Sequence, residues 1–579
     1  MRQTLPNPGP RWAVRLRIGA HSDGELLSLS ASGRSFASVR ADGGALSVRI
    51  TAAISDNPIF PGKDALDFVL EAAPVPAEAS LEWLGYSVRL YAGGELLDEE
   101  WPLGALPEGD WTMDCADGVR CTLSAPDEAA AGREGAFTGP MQYFTWPGSN
   151  TGVGDCMPFS RDGRYCLYYL FDRRGHRSKG GLGAHQWAQI SSADLRTWTL
   201  HPMALPITEQ WEGSICTGSL IQKDGLTYAF YAVRMSDGSP ARMTWATSGD
   251  GVRFEKSGRY FALTDPYEPV SARDPMVFLG ADGQYHMLVT TSLPALGRYG
   301  GALAHLVSRD LAEWTQLDPF IVPGYADQPE CSDYFEWNGW YYLVFANFAV
   351  ARYRMSRSPF GPWIKPAHDV LDTVEDQVVK TAAFGNRRLM TGFLARYPRT
   401  YAGNAVTHEL VQRPDGTLGV RFVEEILPPF GPRLDVAELR VECAEGRAHA
   451  ALAADLRGFR LRARLALGGD GALGGLSMAI GGREHRLDFD RAAGMISAMR
   501  PDHNFRMGDP RLQLPGVNLA EPIAIDLIVK GSILDLALGD GRAMTMRLSD
   551  DLSGGFELSA YAQTGALTVA DIVLEPLAG

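Results

Sequence analysis

The chain has 579 residues, a net charge of −15 and 45% hydrophobic residues. This length needs more than one hydrophobic core, so we expect about two to four domains. An acidic chain without basic runs is a poor partner for nucleic acid or an anionic membrane, so neither is expected. We also expect no membrane span and no secretory signal, because apolar runs of the required length are missing from the sequence.

The seven cysteines are odd in number and irregularly spaced. This pattern argues against a disulfide framework and predicts a cytoplasmic protein. No Cys-x-x-Cys pair is present, and no carboxylate is spaced to share a metal with His176 and His185. The sequence therefore predicts neither a metal nor another cofactor.

Residues 1–135 are predicted to form an N-terminal β-sandwich similar to lectin or laminin-G domains. Short alternating stretches such as ALSVRITAAI are separated by Gly and Asp turns, which is typical of such sandwiches. The breaker-rich stretch 125–140 is predicted to be a linker. We expect the sandwich to pack on the next domain or to form a dimer, with glycan binding as the alternative.

Residues 136–430 contain a unit that occurs five times. Each unit opens with a turn and an aromatic strand, as in DGRYCLYYLFD and NGWYYLVFANF, and most end in a phrase such as SADLRTW. A period of about 50–60 residues with strand-rich units predicts a five-bladed β-propeller, in which the first strands of the blades converge on a central funnel. The turn glycines of the five units are Gly163, Gly225, Gly283, Gly339 and Gly385.

Residues 431–579 follow the break LPPFGPRL. Apolar and polar residues alternate again in this part of the chain, as in FRLRARLAL and IAIDLIVKG. They are predicted to form a C-terminal β-sandwich. The predicted fold class is therefore all-β: a five-bladed propeller flanked by two sandwiches.

Three acidic residues precede their turn glycines by nearly the same distance, and these are Asp155, Asp274 and Glu330. Each alone is a common turn residue. Together in a funnel they would repel each other and lose hydration, which proteins tolerate mainly where chemistry uses the carboxylates. We expect Arg273 to keep Asp274 ionised and Glu330 to have a raised pKa. Two carboxylates with separated pKa values are what glycosidic bond cleavage requires.

Several phrases carry a resemblance to a known family. Arg273-Asp274-Pro275 and Glu330-Cys331 match two of its motifs, and WAQISSADLRTW (187–198) and CTGSL (216–220) look like two others. On these phrases the chain resembles glycoside hydrolase family 32, the β-fructofuranosidase, inulinase and levanase family. In the family's first motif an Asn precedes the acidic residue, whereas Gly154 stands here, and Leu170 takes the place of a sugar-binding Gln.

The resemblance implies a retaining exo-glycosidase that hydrolyses terminal β-fructofuranosyl, or related furanosyl, linkages in short saccharides. Asp155 would be the nucleophile, Glu330 the general acid/base and Asp274 the transition-state stabiliser. Fructosyl transfer or difructose-anhydride processing on the same carboxylates is one alternative, and a non-catalytic carbohydrate-binding propeller is another. The expected partner is a small oligosaccharide, and a homo-oligomer is left open.

Further residues are predicted to contact the sugar from the inner strands or from the rim loop, defined here as residues 172–187. Trp187 and Trp211 are candidates for stacking on it. The full set of predicted binding residues is Arg273, Trp187, Trp211, Glu212, Thr217, Ser219, Asp172, Arg173 and His185.

Overall fold

The computed structural model describes residues 2–20, 23–72, 74–127, 135–146, 148, 150–373, 375–396, 401–499 and 511–578. Regular structure in this part of the chain is nearly all β-strand, as predicted. None of its helices is long and apolar enough to cross a membrane. Most of the predicted linker, residues 128–134, lies outside the described residues.

The N-terminal unit consists of two antiparallel sheets that share one apolar core. One sheet has the strand order β1-β10-β3-β4-β5-β6 and the other β11-β2-β7-β8-β9. Alternating small apolar and polar residues give each strand one buried face. The strands are β1 (Arg2–Leu5), β2 (Trp12–Ile18), β3 (Gly24–Ala31), β4 (Arg34–Asp42), β5 (Ala45–Ala53), β6 (Ala65–Ala72), β7 (Glu78–Trp83), β8 (Val88–Ala92), β9 (Glu95–Glu100), β10 (Trp111–Cys115) and β11 (Val119–Ser124).

The middle of the chain folds into five consecutive antiparallel meanders, numbered I to V. Meander I comprises β13 (Thr151–Arg161), β14 (Arg164–Arg173), β15 (Gln186–Ser192) and β16 (Thr197–Leu200), with β12 (Gly135–Thr138) added at its outer edge and the short helix α1 (Ser178–Gly181) after β14. Meander II comprises β17 (Glu212–Lys223), β18 (Leu226–Met235), β19 (Arg242–Ser248) and β20 (Glu255–Phe261). Meander III comprises β21 (Arg273–Leu279), β22 (Tyr285–Ser292), β23 (Gly301–Ser308) and β24 (Thr315–Ile321), with a 3-10 helix at Pro294–Tyr299.

Meander IV comprises β25 (Glu330–Trp337), β26 (Trp340–Asn347) and β27 (Val350–Ser356). Meander V comprises β28 (Asp376–Phe384), β29 (Arg387–Ala395), β30 (Gly403–Gln412) and β31 (Leu418–Phe422), followed by a 3-10 helix at Glu424–Ile426. Single ladder contacts, Val153 with Gly403 and Val350 with Gln377, join meanders I, V and IV into one nearly closed sheet of twelve strands.

The phrases that mark the repeat have a structural explanation. In SADLRTW, the Ser192 hydroxyl accepts a hydrogen bond from the amide of Leu195, and Asp194 accepts two more from the amides that follow. Ser308 and Asp310 make the same turn in meander III. Side chains of this kind stabilise turns by satisfying local backbone amides. The phrase is therefore a turn signal at the outer edge of a meander.

The C-terminal unit is built around two long strands that pair with each other, β34 and β41. Its core is a single large cluster of aliphatic and aromatic side chains. The strands are β32 (Leu439–Cys443), β33 (Ala448–Leu456), β34 (Gly458–Ile480), β35 (Arg483–Asp490), β36 (Met495–Met499), β37 (Arg511–Pro515), β38 (Ile523–Lys530), β39 (Ile533–Leu538), β40 (Ala543–Arg547) and β41 (Phe556–Pro576), with a 3-10 helix at Leu552–Gly554. Side chains of β39 and β40 pack against meander V.

Candidate active site

The first strand of every meander contains a β-bulge at the same place. A bulge leaves residues outside the regular ladder and redirects their side chains, which is why bulges recur beside functional sites. The pairing register jumps between Val153 and Cys156, Ile215 and Gly218, Arg273 and Met276, Glu330 and Asp333, and Gln377 and Lys380.

The three predicted acids occupy three successive positions of this bulge. Glu330 is the first bulge residue of its strand, Asp274 the second and Asp155 the third. Asp274 and Cys331, which share the second position, have φ of 56° and 50°. Non-glycine residues in this left-handed region are uncommon and mark constrained, often functional, backbone. Each acid lies at the bulge of its own strand, but the three acids stand at different positions relative to that bulge. These differing positions let the three side chains face a common point.

Asp155 receives hydrogen bonds from three side chains. Tyr401 donates its hydroxyl to Oδ1 at 2.9 Å, and Thr217 donates to Oδ2 at 2.5 Å. The Cys331 thiol lies 3.4 Å from the same Oδ2. Burial raises the pKa of that thiol well above its usual range, so it stays protonated and can donate. Three donors of this kind fix the orientation of an ionised carboxylate.

Asp274 is buried beside Asp155. The backbone amide of Cys331 donates to its Oδ2 at 3.1 Å, and Arg273 Nε lies 3.8 Å from that oxygen. Carboxylate oxygens of Asp155 and Asp274 and the Cys331 sulfur all lie within 4.8 Å of one another. Burial raises the pKa of Asp274, and the charge of Arg273 opposes this shift. The expected contact between Arg273 and Asp274 is present, but burial changes the pKa of Asp274 more than the Arg273 charge does, so the net shift is upward.

Glu330 is partly open to solvent, with 30% of its side chain exposed. Arg273 Nη2 donates to its Oε1 at 2.8 Å. Burial raises the pKa of Glu330, Arg273 lowers it, and the neighbouring Asp274 and Asp155 raise it further. A carboxyl group with a raised pKa that is accessible to solvent is suited to donate a proton.

Tyr401 was not identified from the sequence, because a neutral side chain in the loop before β30 carries no pattern that points inward. Its hydroxyl reaches Asp155 across the space beside Gly154. A Cβ at Gly154 would lie 2.6 Å from the Tyr401 hydroxyl oxygen and 3.0 Å from two ring carbons. The glycine that departs from the family motif is therefore what admits the Tyr401 ring.

Replacing Tyr401 by Phe should lower kcat about 10- to 100-fold without unfolding the protein, because a hydrogen bond to a charged group contributes about 1.5–3 kcal/mol. Gly154→Ala should cause a similar loss by displacing the ring. In a Tyr401→Ala background, Gly154→Ala should have little further effect, since the two changes act on one contact. Steady-state kinetics of the three single variants and of the Tyr401→Ala/Gly154→Ala double variant measure this, and additive losses in the double variant would contradict the contact.

The rim loop is held by Asp172, which is fully buried. Its oxygens accept hydrogen bonds from the amides of Gly175 and His176 at 2.8 Å and lie 3.1 Å from His185 Nε2. The His185 ring stacks on Tyr401 with centroids 4.9 Å apart. The sequence did not indicate the contact between Asp172 and His185, because it forms only where the loop folds back on itself. Asp172 thus supports the wall of the site from behind.

Several predicted sugar contacts are used inside the fold and are not brought to the acids. Trp187 is completely buried and donates its indole N–H to the carbonyl of Cys216, so no ring face is open to a sugar. Glu212 is buried and accepts from two backbone amides and from Lys256. The Ser219 hydroxyl links β17 to β21, because it donates to Pro275 O and accepts from Val277 N.

Arg173 and Trp211 also have other partners. Arg173 is buried and donates to Asn150 and Asp98, at the contact with the N-terminal unit. Arg242 lies 4.6 Å from the centre of the Trp211 ring and covers one of its faces. Of the predicted binding residues, Arg273 and Thr217 lie with the acids, and Asp172 and His185 lie one layer behind them.

The N-terminal unit packs directly on the rim loop. Arg174 pairs with Asp98 and Glu100 of strand β9 at 2.5 and 2.6 Å, and Glu100 also accepts from the amide of Lys179. Both carboxylates are buried, so these pairs are not weakened by solvent as surface pairs are. This contact fits the expected packing of the sandwich on the next domain.

Known proteins resemble this chain in sequence and in fold. Residues 157–358 match the model of the glycosyl hydrolases family 32 N-terminal domain. A probable sucrose-6-phosphate hydrolase from Psychromonas ingrahamii is 27% identical over 239 residues, which is 40% of each chain. A levanbiose-producing levanase from Bacillus subtilis is 24% identical over 223 residues, 36% of this chain and 39% of its own length. The matched part thus spans about two fifths of these curated relatives.

Solved structures match over a longer stretch. The exo-inulinase from Aspergillus awamori aligns with a TM-score of 0.59 at 14% identity, covering 76% of this chain and 98% of its own. The β-fructofuranosidase from Bombyx mori aligns with a TM-score of 0.57 at 18% identity, covering 76% of this chain and 93% of its own. These structural similarities show a shared fold, and the family-model match adds a similarity in sequence over residues 157–358. On both together, residues 157–358 match glycoside hydrolase family 32 in sequence, and the chain shares the fold of solved proteins such as the Bombyx mori family 32 β-fructofuranosidase.

Proposed function

We propose that the protein is a retaining, exo-acting glycosidase that hydrolyses terminal β-fructofuranosyl, or related furanosyl, linkages in short saccharides. The observation that carries this proposal is the convergence of Asp155, Asp274 and Glu330 on neighbouring bulges, with one acid fixed by three donors and another open to solvent. Relatives named as a sucrose-6-phosphate hydrolase and a levanase support a fructoside as the substrate.

We also propose that meanders I to V are the blades of a five-bladed propeller flanked by two β-sandwiches. The nearly closed sheet of meanders I, V and IV and the contacts of β17 with β21 and of β21 with β25 support this arrangement. The domains would be residues 1–135, 136–430 and 431–579. In a propeller the first strands line the centre, and the position of all three acids on first strands supports a central site.

The proposed reaction has two steps. Asp155 attacks the anomeric carbon while the Glu330 carboxyl protonates the leaving oxygen, giving a covalent glycosyl–enzyme. Glu330, now ionised, then takes a proton from water, which attacks the same carbon and releases the sugar. Asp274, held beside Arg273, would accept hydrogen bonds from sugar hydroxyls. These hydrogen bonds strengthen as positive charge develops on the ring in the transition state.

We propose a cytoplasmic location because the cysteines form no disulfide bonds. All seven are free thiols, three of them buried. Free thiols without disulfides are typical of a reducing compartment.

A hydrolysis screen tests the proposed function. We expect the full-length protein to release fructose from at least one of sucrose, inulobiose, levanbiose and difructose anhydrides. Arabinofuranosides test the related-furanose alternative, and larger or cyclic products at high sugar concentration would indicate transfer instead. Binding of these sugars without any turnover would replace the proposal with a non-catalytic binding function.

Replacing Arg273 by Gln should move the alkaline limb of the pH profile of kcat/KM to higher pH. The Arg273 cation favours the ionised form of Glu330, so its loss raises the pKa of the acid and keeps it protonated further into the alkaline range. Arg273→Lys is the matched control, because it keeps the charge and should leave the limb near its original position. An alkaline limb that is unmoved in Arg273→Gln would contradict the role of Glu330 as proton donor.

A further inference from the structure

A second cluster of buried charged groups lies where meander V meets the C-terminal unit. Asp372, Asp376 and His408 come from meander V and the loop before it, and Asp535 comes from β39 of the C-terminal unit. All four side chains are fully or almost fully buried. Three carboxylates and one imidazole in such a place are costly unless their charges are compensated.

Two of these carboxylates are well satisfied. Asp372 Oδ1 accepts from the amides of Thr373 and Thr545 at 2.6 and 2.9 Å, and its Oδ2 accepts from the Thr545 hydroxyl at 2.8 Å. Asp535 Oδ2 accepts from Gln142 and Tyr143 at 3.0 and 2.9 Å. These donors fix the orientation of both carboxyl groups and satisfy most of their oxygens.

Asp376 is different. Both of its carboxylate oxygens are buried without a hydrogen-bond partner among the described residues. Gly392 makes room for it, since a Cβ there would lie 2.6 Å from Asp376 Oδ1. A buried carboxylate with both oxygens unpartnered is rare in folded proteins and calls for a ligand or a proton.

His408 is held in the orientation of a metal ligand. Its Nε2 lies 3.1 Å from Asp535 Oδ1, while its buried Nδ1 has no hydrogen-bond partner in the described part of the chain. Nδ1 faces Asp372 Oδ2 at 3.7 Å. A carboxylate on one ring nitrogen, with the other nitrogen directed at further carboxylates, is the usual outer support of a metal-bound histidine.

We propose that Asp372, Asp376 and His408 bind a divalent transition-metal ion between meander V and the C-terminal unit. Ligand atoms of these three residues lie within 4.8 Å of one another, which a shared ion can span with small adjustments. One imidazole with two carboxylates suits Zn²⁺ or Mn²⁺ better than Ca²⁺ or Mg²⁺, which prefer oxygen alone. Two positive charges would also offset the surplus of carboxylates.

The proposed ion would have a structural role. It would bind meander V directly and the C-terminal unit through Asp535 and Thr545, which contact His408 and Asp372. The sequence predicted no metal, because these ligands follow no known spacing and come together only when the loop before β28 meets β30.

Metal analysis of the full-length protein tests the proposal. Protein purified without chelators should contain about one equivalent of Zn²⁺ or Mn²⁺ per chain. After removal of the metal with EDTA, added Zn²⁺ should raise Tm, because an ion that binds only the folded chain stabilises it. Ca²⁺ at the same concentration should leave Tm unchanged.

Asp376→Asn should abolish stoichiometric binding and the rise in Tm. The matched control is Asp282→Asn, which alters another Asp–His pair, that with His286 at 3.0 Å, and should leave metal binding intact. If Asp376→Asn does not fold, the metal content of the unaltered protein still decides the question. Protein that lacks metal and whose Tm is unmoved by Zn²⁺ and Mn²⁺ would overturn the proposal, as would undiminished binding in Asp376→Asn.

Discussion

Replacing Asp155 by Asn should lower kcat on the best fructoside by about 10⁴-fold or more, because loss of a nucleophile removes the covalent step altogether. The change is nearly isosteric: the amide oxygen can keep one of the two donors, Tyr401 or Thr217, and the amide nitrogen can donate to the hydroxyl oxygen of the other. We therefore expect the fold and Tm to be almost unchanged and the substrate still to bind. Initial rates and thermal unfolding on the same preparation measure both.

Asp194→Asn is the control for this variant. Asp194 lies in the same meander but in an outer turn, where it accepts from the amides of Arg196 and Thr197. This control should keep wild-type kcat. An Asp155→Asn enzyme that retains more than about a tenth of the wild-type activity would contradict the assignment of the nucleophile, since such a residue is indispensable.

Replacing Glu330 by Gln should lower kcat on sucrose by about 10²–10⁴-fold, the usual contribution of a general acid. With p-nitrophenyl β-D-fructofuranoside the first step should stay fast, because nitrophenolate leaves without protonation. The second step still needs a base to activate water, so the covalent intermediate should accumulate. Stopped-flow absorbance should show a burst of about one equivalent of nitrophenol, and azide should restore turnover.

The control for Glu330→Gln is Glu336→Gln, on the same strand β25 but exposed at its outer end. It should behave like the wild type with both substrates. Equal losses on sucrose and on the nitrophenyl substrate, without a burst, would show that Glu330 does not donate the proton to the leaving group.

The repeat was predictable because its signals are local. The turn glycines Gly163, Gly283 and Gly339 adopt φ of 74–78°, which favours glycine, and the Ser-x-Asp turns close on their own backbone. The five meanders and the order of the acids follow from these signals. The bulges do not, because a bulge is set by pairing with the neighbouring strand and leaves no residue type of its own.

The predicted sugar contacts show where sequence phase fails. Trp187 lies on β15, the third strand of meander I, and Glu212 begins β17, the first strand of meander II. Both strands are buried on both faces, so alternation of apolar and polar residues does not tell which side chains face the acids. Tyr401 was not predicted because it is far from Asp155 in the sequence, and only the folded loop brings it to that carboxylate. Asp376 and His408 likewise meet only through tertiary packing.

Retaining hydrolysis of a fructoside by Asp155 and Glu330 is the proposal from which the predictions for both residues follow. Time-resolved NMR of the product, begun within seconds of adding enzyme to the best substrate of the screen, tests this proposal. We expect β-fructofuranose to form first and then to equilibrate with its other forms, because two displacements at one carbon restore its configuration. First appearance of the α-anomer, or no free fructose from any saccharide in the screen, would contradict it.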